Sequence, residues 1–373
     1  MDLVGNFSPR TRHVSGWLYR LAWATGSGML GRIMASQLAW GVLSTGRIAE
    51  TFVRGANRSK TGRVVAVASR NPARAEAFAA QKGVPVAYGS YEALLSDPRV
   101  TAVYVATPHP FHVEWVIRAA NAGKHVLCEK PLGMSRDEAM RGIEACRKAG
   151  VMLMEAYMYR CHPQTRRVVE IVKSGAIGRV CSIQAAFSFH LKYQAESRAW
   201  AKSLGGGGIL DVGGYPVSFA RLIAGAACGV PFVEPVTFSG AAVVHPESGV
   251  DAYAAALLTF PGNILAEVSC GIGLQRDNAA WIYGSEGWLQ IPVPWIPNRE
   301  GGRSRILLQK RGVPEPEEIV VETDEFLYGM EADAFARALG CGMREVPEVT
   351  TEDTLGTMAV LDQWRAAAGV EYG

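Results

Sequence analysis

The chain lacks most of what announces a specialised class of protein. Its seven cysteines, at 128, 146, 161, 181, 228, 270 and 341, are odd in number, scattered, and form no C-x-x-C pair. Neither a disulfide framework nor a zinc site is therefore written into them, and the reduced thiols of a cytoplasmic protein are expected. Long apolar runs are missing too. The longest stretch free of Asp, Glu, Lys and Arg is 252–266, 15 residues interrupted by Pro261 and Gly262, short of the ~18 that a membrane span needs. No membrane partner is expected. Charge of one sign is not in excess: 38 Lys plus Arg stand against 35 Asp plus Glu, a net +3 spread along the chain. Without a basic stripe there is no footprint for a nucleic acid, and the default partner is a small molecule.

What is present is core-forming material. Hydrophobic residues make up 49% of 373 and mean hydropathy is +0.07. Because a single core stops growing at about 250–300 residues, two domains are expected. Residues 1–37 differ in character from the rest of the chain: Arg10, Arg12 and Arg20 interrupt a Trp/Gly/Ser-rich stretch. Three readings stand for this extension: 21–31 imitates the apolar region of an export signal, Met34 offers a second start, and the segment suits an arm packing on a partner subunit.

From Leu38 a regular alternation begins. Apolar strands are predicted at 38–43, 63–69, 102–106, 125–128 and 151–155, with helices at 48–54, 72–82, 91–96, 111–122 and 136–149 between them. Strands apolar on both faces, separated by helices, specify a doubly wound parallel sheet covered on both sides. After about residue 160 the pattern changes. A helix at 163–174 is followed by strands at 180–191, 236–244, 253–260, 264–272, 279–283 and 288–292 with few helices between, the mark of a largely antiparallel sheet. A homodimer through that sheet would cover its open face. Helices at 331–339 and 352–368 close the chain.

Four motifs carry chemistry. The turn Ser44-Thr45-Gly46-Arg47-Ile48-Ala49 has the G-x-G-x-x-A spacing with Ser first, and its backbone N–H groups and helix N-terminus suit a pyrophosphate. The second strand ends in Ser69-Arg70-Asn71, with Arg74 one turn on, where an NAD-type domain carries an acid for the ribose hydroxyl. An acid would repel a 2′-phosphate, whereas Ser69 can donate to it and Arg70 can pair with it, so NADP(H) is preferred over NAD(H). Read blandly, both arginines are solvated surface charges. Ala106-Thr107-Pro108-His109-Pro110 and Cys128-Glu129-Lys130-Pro131 both fall at carboxyl ends of strands, the rim where such sheets bind ligands. Finally, four glycines at 205–208 precede Asp211 and Tyr215, four apart and on one face of a helix if that segment is helical. Beside a Lys they make a proton-transfer site, the cation being expected to favour the phenolate; taken alone they read rather as a capped core helix.

Together, Gly41-Val-Leu-Ser-Thr-Gly-Arg-Ile-Ala49, Ala106-Thr-Pro-His-Pro-Phe-His112, Gly123-Lys-His-Val-Leu-Cys-Glu-Lys-Pro131 and Gly206-Gly-Gly-Ile-Leu-Asp-Val-Gly-Gly-Tyr215 resemble the Gfo/Idh/MocA oxidoreductases over about residues 38–370. Met154-Glu-Ala-Tyr-Met-Tyr-Arg160 and Arg198, thirteen residues before Asp211, also match. The similarity is to the branch of dimeric dihydrodiol dehydrogenase, NADP-linked xylose dehydrogenase and glucose-fructose oxidoreductase, which carries Tyr where inositol dehydrogenases carry His.

The resemblance implies a Rossmann domain at 38–160 and an α/β domain with an open, mostly antiparallel sheet at 161–373, whose last helices can return to the first domain. It implies a nicotinamide between them, held by Ser44, Thr45, Gly46, Arg47, Ile48, Ser69, Arg70, Arg74, Thr107, Pro108, His109, His112, Glu129, Lys130 and Arg198. Lys130 would polarise the substrate, Tyr215 would be the general acid/base, and Asp211 would orient substrate or tyrosine. Arg160 and His162 are expected as further substrate contacts, and no metal is expected. The reaction implied is hydride transfer with a hydroxyl or carbonyl carbon of a sugar, cyclic polyol or dihydrodiol. A nicotinamide recycled within one site, or a non-catalytic dinucleotide-binding regulator, are the alternatives. Ser44 in place of a glycine and the long leader depart from the family pattern, and the serine is expected to loosen the pyrophosphate turn.

Overall fold

The computed structural model describes residues 37–372; the leader readings fall on residues that lie outside them, apart from Gln37. Six strands, β1 (Leu38–Leu43), β2 (Gly62–Ala68), β3 (Val86–Tyr88), β4 (Ala102–Val105), β5 (His125–Cys128) and β6 (Leu153–Glu155), form a parallel sheet in the order β3-β2-β1-β4-β5-β6. The order reverses between β1 and β4, which makes their carboxyl ends a topological switch point. Helices α1 (Arg47–Ala56), α2 (Pro72–Lys82), α3 (Tyr91–Leu95), α4 (His112–Asn121) and α5 (Arg136–Ala149) complete the alternation.

Local chemistry explains these bounds. The Asn71 side chain accepts from Arg74 N–H to start α2, Pro72 occupies its first turn, and Gly83 in the left-handed region ends it. Ser135 caps α5 through Glu138 N–H while Glu138 reaches back to Met134 N–H, a reciprocal pair that satisfies two orphan donors. Under the sheet, Phe52 of α1 stacks on Tyr104 of β4 at 3.8 Å between centroids, and Trp40 meets Phe52 edge-on.

The second sheet has eight strands: β7 (Val180–Ser188), β8 (Thr237–Val244), β9 (Asp251–Phe260), β10 (Ile264–Gly271), β11 (Ala280–Gly284), β12 (Gly287–Ile291), β13 (Gly302–Lys310) and β14 (Glu317–Thr323). Their order is β14-β13-β12-β11-β7-β10-β9-β8, antiparallel throughout except for β7 beside β10. On one face of the sheet α7 (Gly214–Ala227) packs on β7 and β10, beside α6 (Pro163–Lys173), which meets β13 and β14. The opposite face carries Tyr253, Leu257 and Leu265 exposed, with Trp281 stacked on Tyr283 and tilted against Trp288. The closing helices α8 (Leu327–Gly340) and α9 (Thr351–Ala367) return to pack on α1 and α5 respectively.

Three strands, β3, β13 and β14, were not expected. β3 is three residues at the sheet edge, too short to show a period. In β13 and β14 the outward positions are charged, with Arg303 paired across the ladder to Glu322 and Arg305 facing Glu318, so the buried Ile306 and Leu308 stand alone in a polar stretch.

Candidate active site

The turn after β1 has Ser44 at φ +118°, a conformation that favours glycine, and the Ser44 hydroxyl accepts from Gly46 N–H at 3.3 Å. The serine thus adds a bond within the turn while its own backbone is held where glycine is favoured. Gly46 begins α1 with no side-chain cap, so the N–H groups around Arg47 and Ile48 carry no side-chain acceptor and, with the helix dipole, suit a pyrophosphate. Thr45 lies between them, partly buried. At the end of β2, Ser69 is buried and its hydroxyl accepts from Asn71 N–H at 3.2 Å, while Arg70 and Arg74 project exposed, with no ion pair among the described residues. At the end of β4, the buried Thr107 Oγ1 makes no hydrogen bond within the described residues, an orphan that an incoming polar group can satisfy. A dinucleotide fits these residues.

Beyond that rim, one polar string crosses from the first sheet to the segment preceding α7. Lys130, at the end of β5, donates to the main-chain carbonyl of Asp211 at 2.5 Å and lies 3.4 Å from Asp211 Oδ1. Arg198 donates to the same Oδ1 at 3.0 Å, and its other terminal nitrogen meets His109 Nε2 at 3.1 Å. His109 Nδ1, next to Pro108, lies 3.1 Å from Gly205 O. An arginine only donates, so Nε2 accepts and Nδ1 carries the proton given to Gly205. Burial, helped by Arg198, holds His109 well below the usual imidazole range and keeps it neutral. Burial pulls the Asp211 carboxyl up, but Lys130 and Arg198 together outweigh it and hold it well below the usual carboxylate range. Asp211 is an ionised anchor between two cations.

Asp211 itself sits in a widened π-helical turn, Ile209–Gly213, that runs into α7, and Tyr215 stands in the first turn of the regular helix beyond it. Tyr215 is buried within an aromatic cage of Tyr157, Tyr159, Phe187 and Trp295, with centroids 5.0–5.9 Å away. Lys130 Nζ lies 5.5 Å over its ring, and its hydroxyl faces Met158 Sδ at 3.4 Å. The expected lowering of the phenol is overturned: the cation sits on the ring face, while burial, with Tyr328 and Glu129 adding to it, pushes Tyr215 well above the usual value. Glu129 is buried, accepts from Tyr104 Oη, and is itself pushed up by burial.

Three expected contacts stand elsewhere. His112 is fully buried with Nε2 2.7 Å from Thr107 O and Nδ1 2.7 Å from Pro131 O; burial pulls it down to about 4, so the neutral ring donates its single N–H to one of these carbonyls, and both nitrogens are enclosed between the ends of β4 and β5. Arg160 is buried with its guanidinium engaged by Asp353 at 2.8 Å and Ser218 at 2.8 Å. His162 caps α6 by accepting from Gln164 N–H, and burial pulls it down to about 4. Motif reading also missed Glu155 and Asp251, fully buried carboxyls that burial pushes up to about 7. Glu155 lay inside a quoted motif; nothing in sequence singled out Asp251.

Residues 38–157 match the profile of an oxidoreductase family with an NAD-binding Rossmann fold, and 165–290 match the GFO/IDH/MocA C-terminal domain. The chain belongs to the Gfo/Idh/MocA oxidoreductase family. Among its Gfo/Idh/MocA relatives, trans-1,2-dihydrobenzene-1,2-diol dehydrogenase of Mus musculus is 34% identical over 90% of this chain and 98% of that one. D-xylose 1-dehydrogenase (NADP(+)) 2 of Haloferax volcanii is 36% identical over 87% and 95%. A 3-ketoreductase from Actinomadura kijaniata, solved in complex with NADP and TDP-benzene, superposes with a TM-score of 0.80 at 29% identity, covering 89% of this chain and 98% of that one. The chain is thus an enzyme of the oxidoreductase class, with an α/β fold.

Proposed function

We propose that this enzyme moves hydride between NADP(H) and a hydroxyl or carbonyl carbon of a sugar, cyclic polyol or dihydrodiol. The observation that carries the reading is the string Lys130–Asp211–Arg198–His109 beside Tyr215, at the carboxyl ends of β4 and β5. When bound, the nicotinamide supplies or accepts the hydride. Lys130 spends two of its three N–H groups on Asp211, leaving one to polarise a substrate oxygen. Tyr215 is the proton donor and acceptor; its hydroxyl is committed only to a thioether, a weak acceptor, so a substrate oxygen competes easily for it. Asp211 fixes the lysine and titrates with neither.

Arg70 and Arg74, exposed at the β2 end with no acid at 69–71, support NADP(H) over NAD(H). Residues 38–160 serve the cofactor and 161–373 the substrate. The open face of the eight-stranded sheet, with Leu257, Leu265 and the Trp281–Trp288 aromatic row, suits a second copy of the chain and hence a homodimer. Its seven free cysteines suit the cytoplasm; among the described residues no helix is long and apolar enough to cross a membrane.

Titration with NADPH and NADH, followed by tryptophan quenching, tests the cofactor, and turnover of NADP⁺ with D-xylose, other aldoses, cyclic polyols and trans-dihydrodiols tests the reaction. Tighter NADPH binding together with turnover of one of these classes is the expected result. Tighter NADH binding, or turnover that survives Tyr215→Phe, overturns it.

A further inference from the structure

The two reactive turns are each held from beneath by one buried carboxyl. Glu155, at the end of β6 and 1% exposed, accepts from Leu132 N–H at 2.8 Å. Leu132 is two residues past Lys130, so this bond fixes the backbone that aims the lysine. Asp251, at the start of β9 and 0% exposed, accepts from Ile209 N–H at 2.7 Å. Ile209 is two residues before Asp211, so this bond fixes the widened turn that carries the anchor. The two turns then meet directly, Lys130 Nζ on Asp211 O.

The surroundings show that these carboxyls are built in. At Gly207, φ +103°, a Cβ would come within 2.3 Å of Asp251 Oδ1, so the glycine-rich segment wraps this side chain too closely for any other residue. Tyr372 closes the same segment by donating to Gly206 O. Glu155 is covered by α9, which packs on β6, and its second carboxyl oxygen has no partner among the described residues. An ionisable group buried to this degree is costly and persists only where its hydrogen bonds matter.

We propose that Glu155 and Asp251 are positioning residues for the reaction, the first setting Lys130 through Leu132 N–H and the second setting Asp211 and Tyr215 through the main-chain N–H groups at 208–209. Neither touches cofactor or substrate. A side chain two residues from a displaced backbone amide moves by a fraction of an ångström to an ångström, enough to cost about 10²-fold in rate.

The inference rests on Lys130, Asp211 and Tyr215 being the reacting groups, and the test separates the two ideas. Glu155→Met and Asp251→Ala remove the acceptor, whereas Glu155→Gln and Asp251→Asn keep a carbonyl oxygen in its place. In full-length protein, amide hydrogen exchange of peptides covering 128–135 and 205–213 is compared with NADPH binding and with NADP⁺-dependent kcat and KM. The expected result is exchange at least 10-fold faster in the matching peptide for the acceptor-free variants alone. NADPH affinity stays within 3-fold, kcat falls by about 10²-fold with KM little changed, and Gln or Asn restores kcat to within 5-fold of wild type. Unchanged exchange, or amide variants as slow in turnover as the acceptor-free ones, overturns the proposal. Should an acceptor-free variant not fold, the folded Gln or Asn variant decides alone: turnover lost by more than 10-fold overturns it. If the wild type turns over none of the substrates, the functional reading fails, and the exchange comparison still decides whether the carboxyls hold the turns.

Discussion

At the six-stranded sheet the polar groups offered at the site are mainly main-chain N–H of the 44–48 turn, one orphaned hydroxyl on Thr107 and two exposed arginines. On the side of the eight-stranded sheet they are ionised side chains in short contact, Arg198 and Asp211, closed by Lys130 reaching across. The first arrangement binds largely through backbone geometry, with the arginines free of ion pairs among the described residues; the second depends on charges that pair with one another, each of which leaves a partner stranded when removed. Binding of cofactor and turnover of substrate are therefore expected to respond to different substitutions.

The sharpest break is Lys130→Met. Turnover should fall by about 10²–10⁴-fold, the span of a lost acid/base or polarising group, with NADPH binding preserved; stopped-flow or steady-state NADPH absorbance checks it, and full activity would remove Lys130 from the mechanism. Asp211→Asn comes next: Lys130 and Arg198 lose their shared carboxylate, so kcat should drop by about 10²-fold. Since Arg198 is 39% exposed, stability should fall by only about 1–3 kcal/mol in denaturant unfolding. On the other side, Arg70→Ala should weaken NADPH by about 10-fold and leave NADH unchanged, read from paired fluorescence titrations; equal losses for both would place Arg70 away from the 2′-phosphate.

A smaller effect concerns pH. Burial pushes Glu155 up to about 7, with Thr354 and Leu132 N–H opposing, against about 4.3 in an unfolded chain. The folded state therefore holds the proton more tightly, and the stability this provides is present below about pH 4 and lost as pH rises through 7. Glu155→Gln, which mimics the protonated group, should gain in Tm relative to wild type between pH 5 and pH 8. A difference that does not change with pH would mean that the carboxyl is not titrating there. The smallest effect is Ser44→Gly: relief of the positive φ and loss of the hydroxyl bond to Gly46 oppose each other, leaving a gain below about 1 kcal/mol, or roughly 2 °C in Tm, by calorimetry.

Apart from the short edge strand β3, the parallel sheet was legible because its stops are chemical: Asn71 and Pro72 before α2, Gly83 after it, Ser135 before α5 and Gly150 after it. β13 and β14 were not, since their charged outer rows erase the apolar signal. Within the site, Lys130, Asp211 and Tyr215 were readable as motifs, but their electrostatics were not. Lys130 lies over the face of a Tyr215 ring that Trp295 and Phe187, remote in sequence, also pack against. The bond from Arg198 to His109 joins residues 89 apart, and Asp251 reaches Ile209 across 42; only the assembled fold brings them together. Arg160 and His162 misled because adjacency in a motif was taken for a shared direction, whereas the short helical turn Met158–Cys161 sends them into the interior.

The contact from Lys130 to Asp211 is made chiefly with the main-chain oxygen. A peptide carbonyl is present whatever side chain occupies position 211, so the lysine is addressed by the path of the backbone and not by the identity of its neighbour. A change of side chain at 211 therefore leaves the direction of Lys130 to the backbone, while it removes the carboxylate that Lys130 and Arg198 share: aim and charge at this position are set by separate parts of one residue.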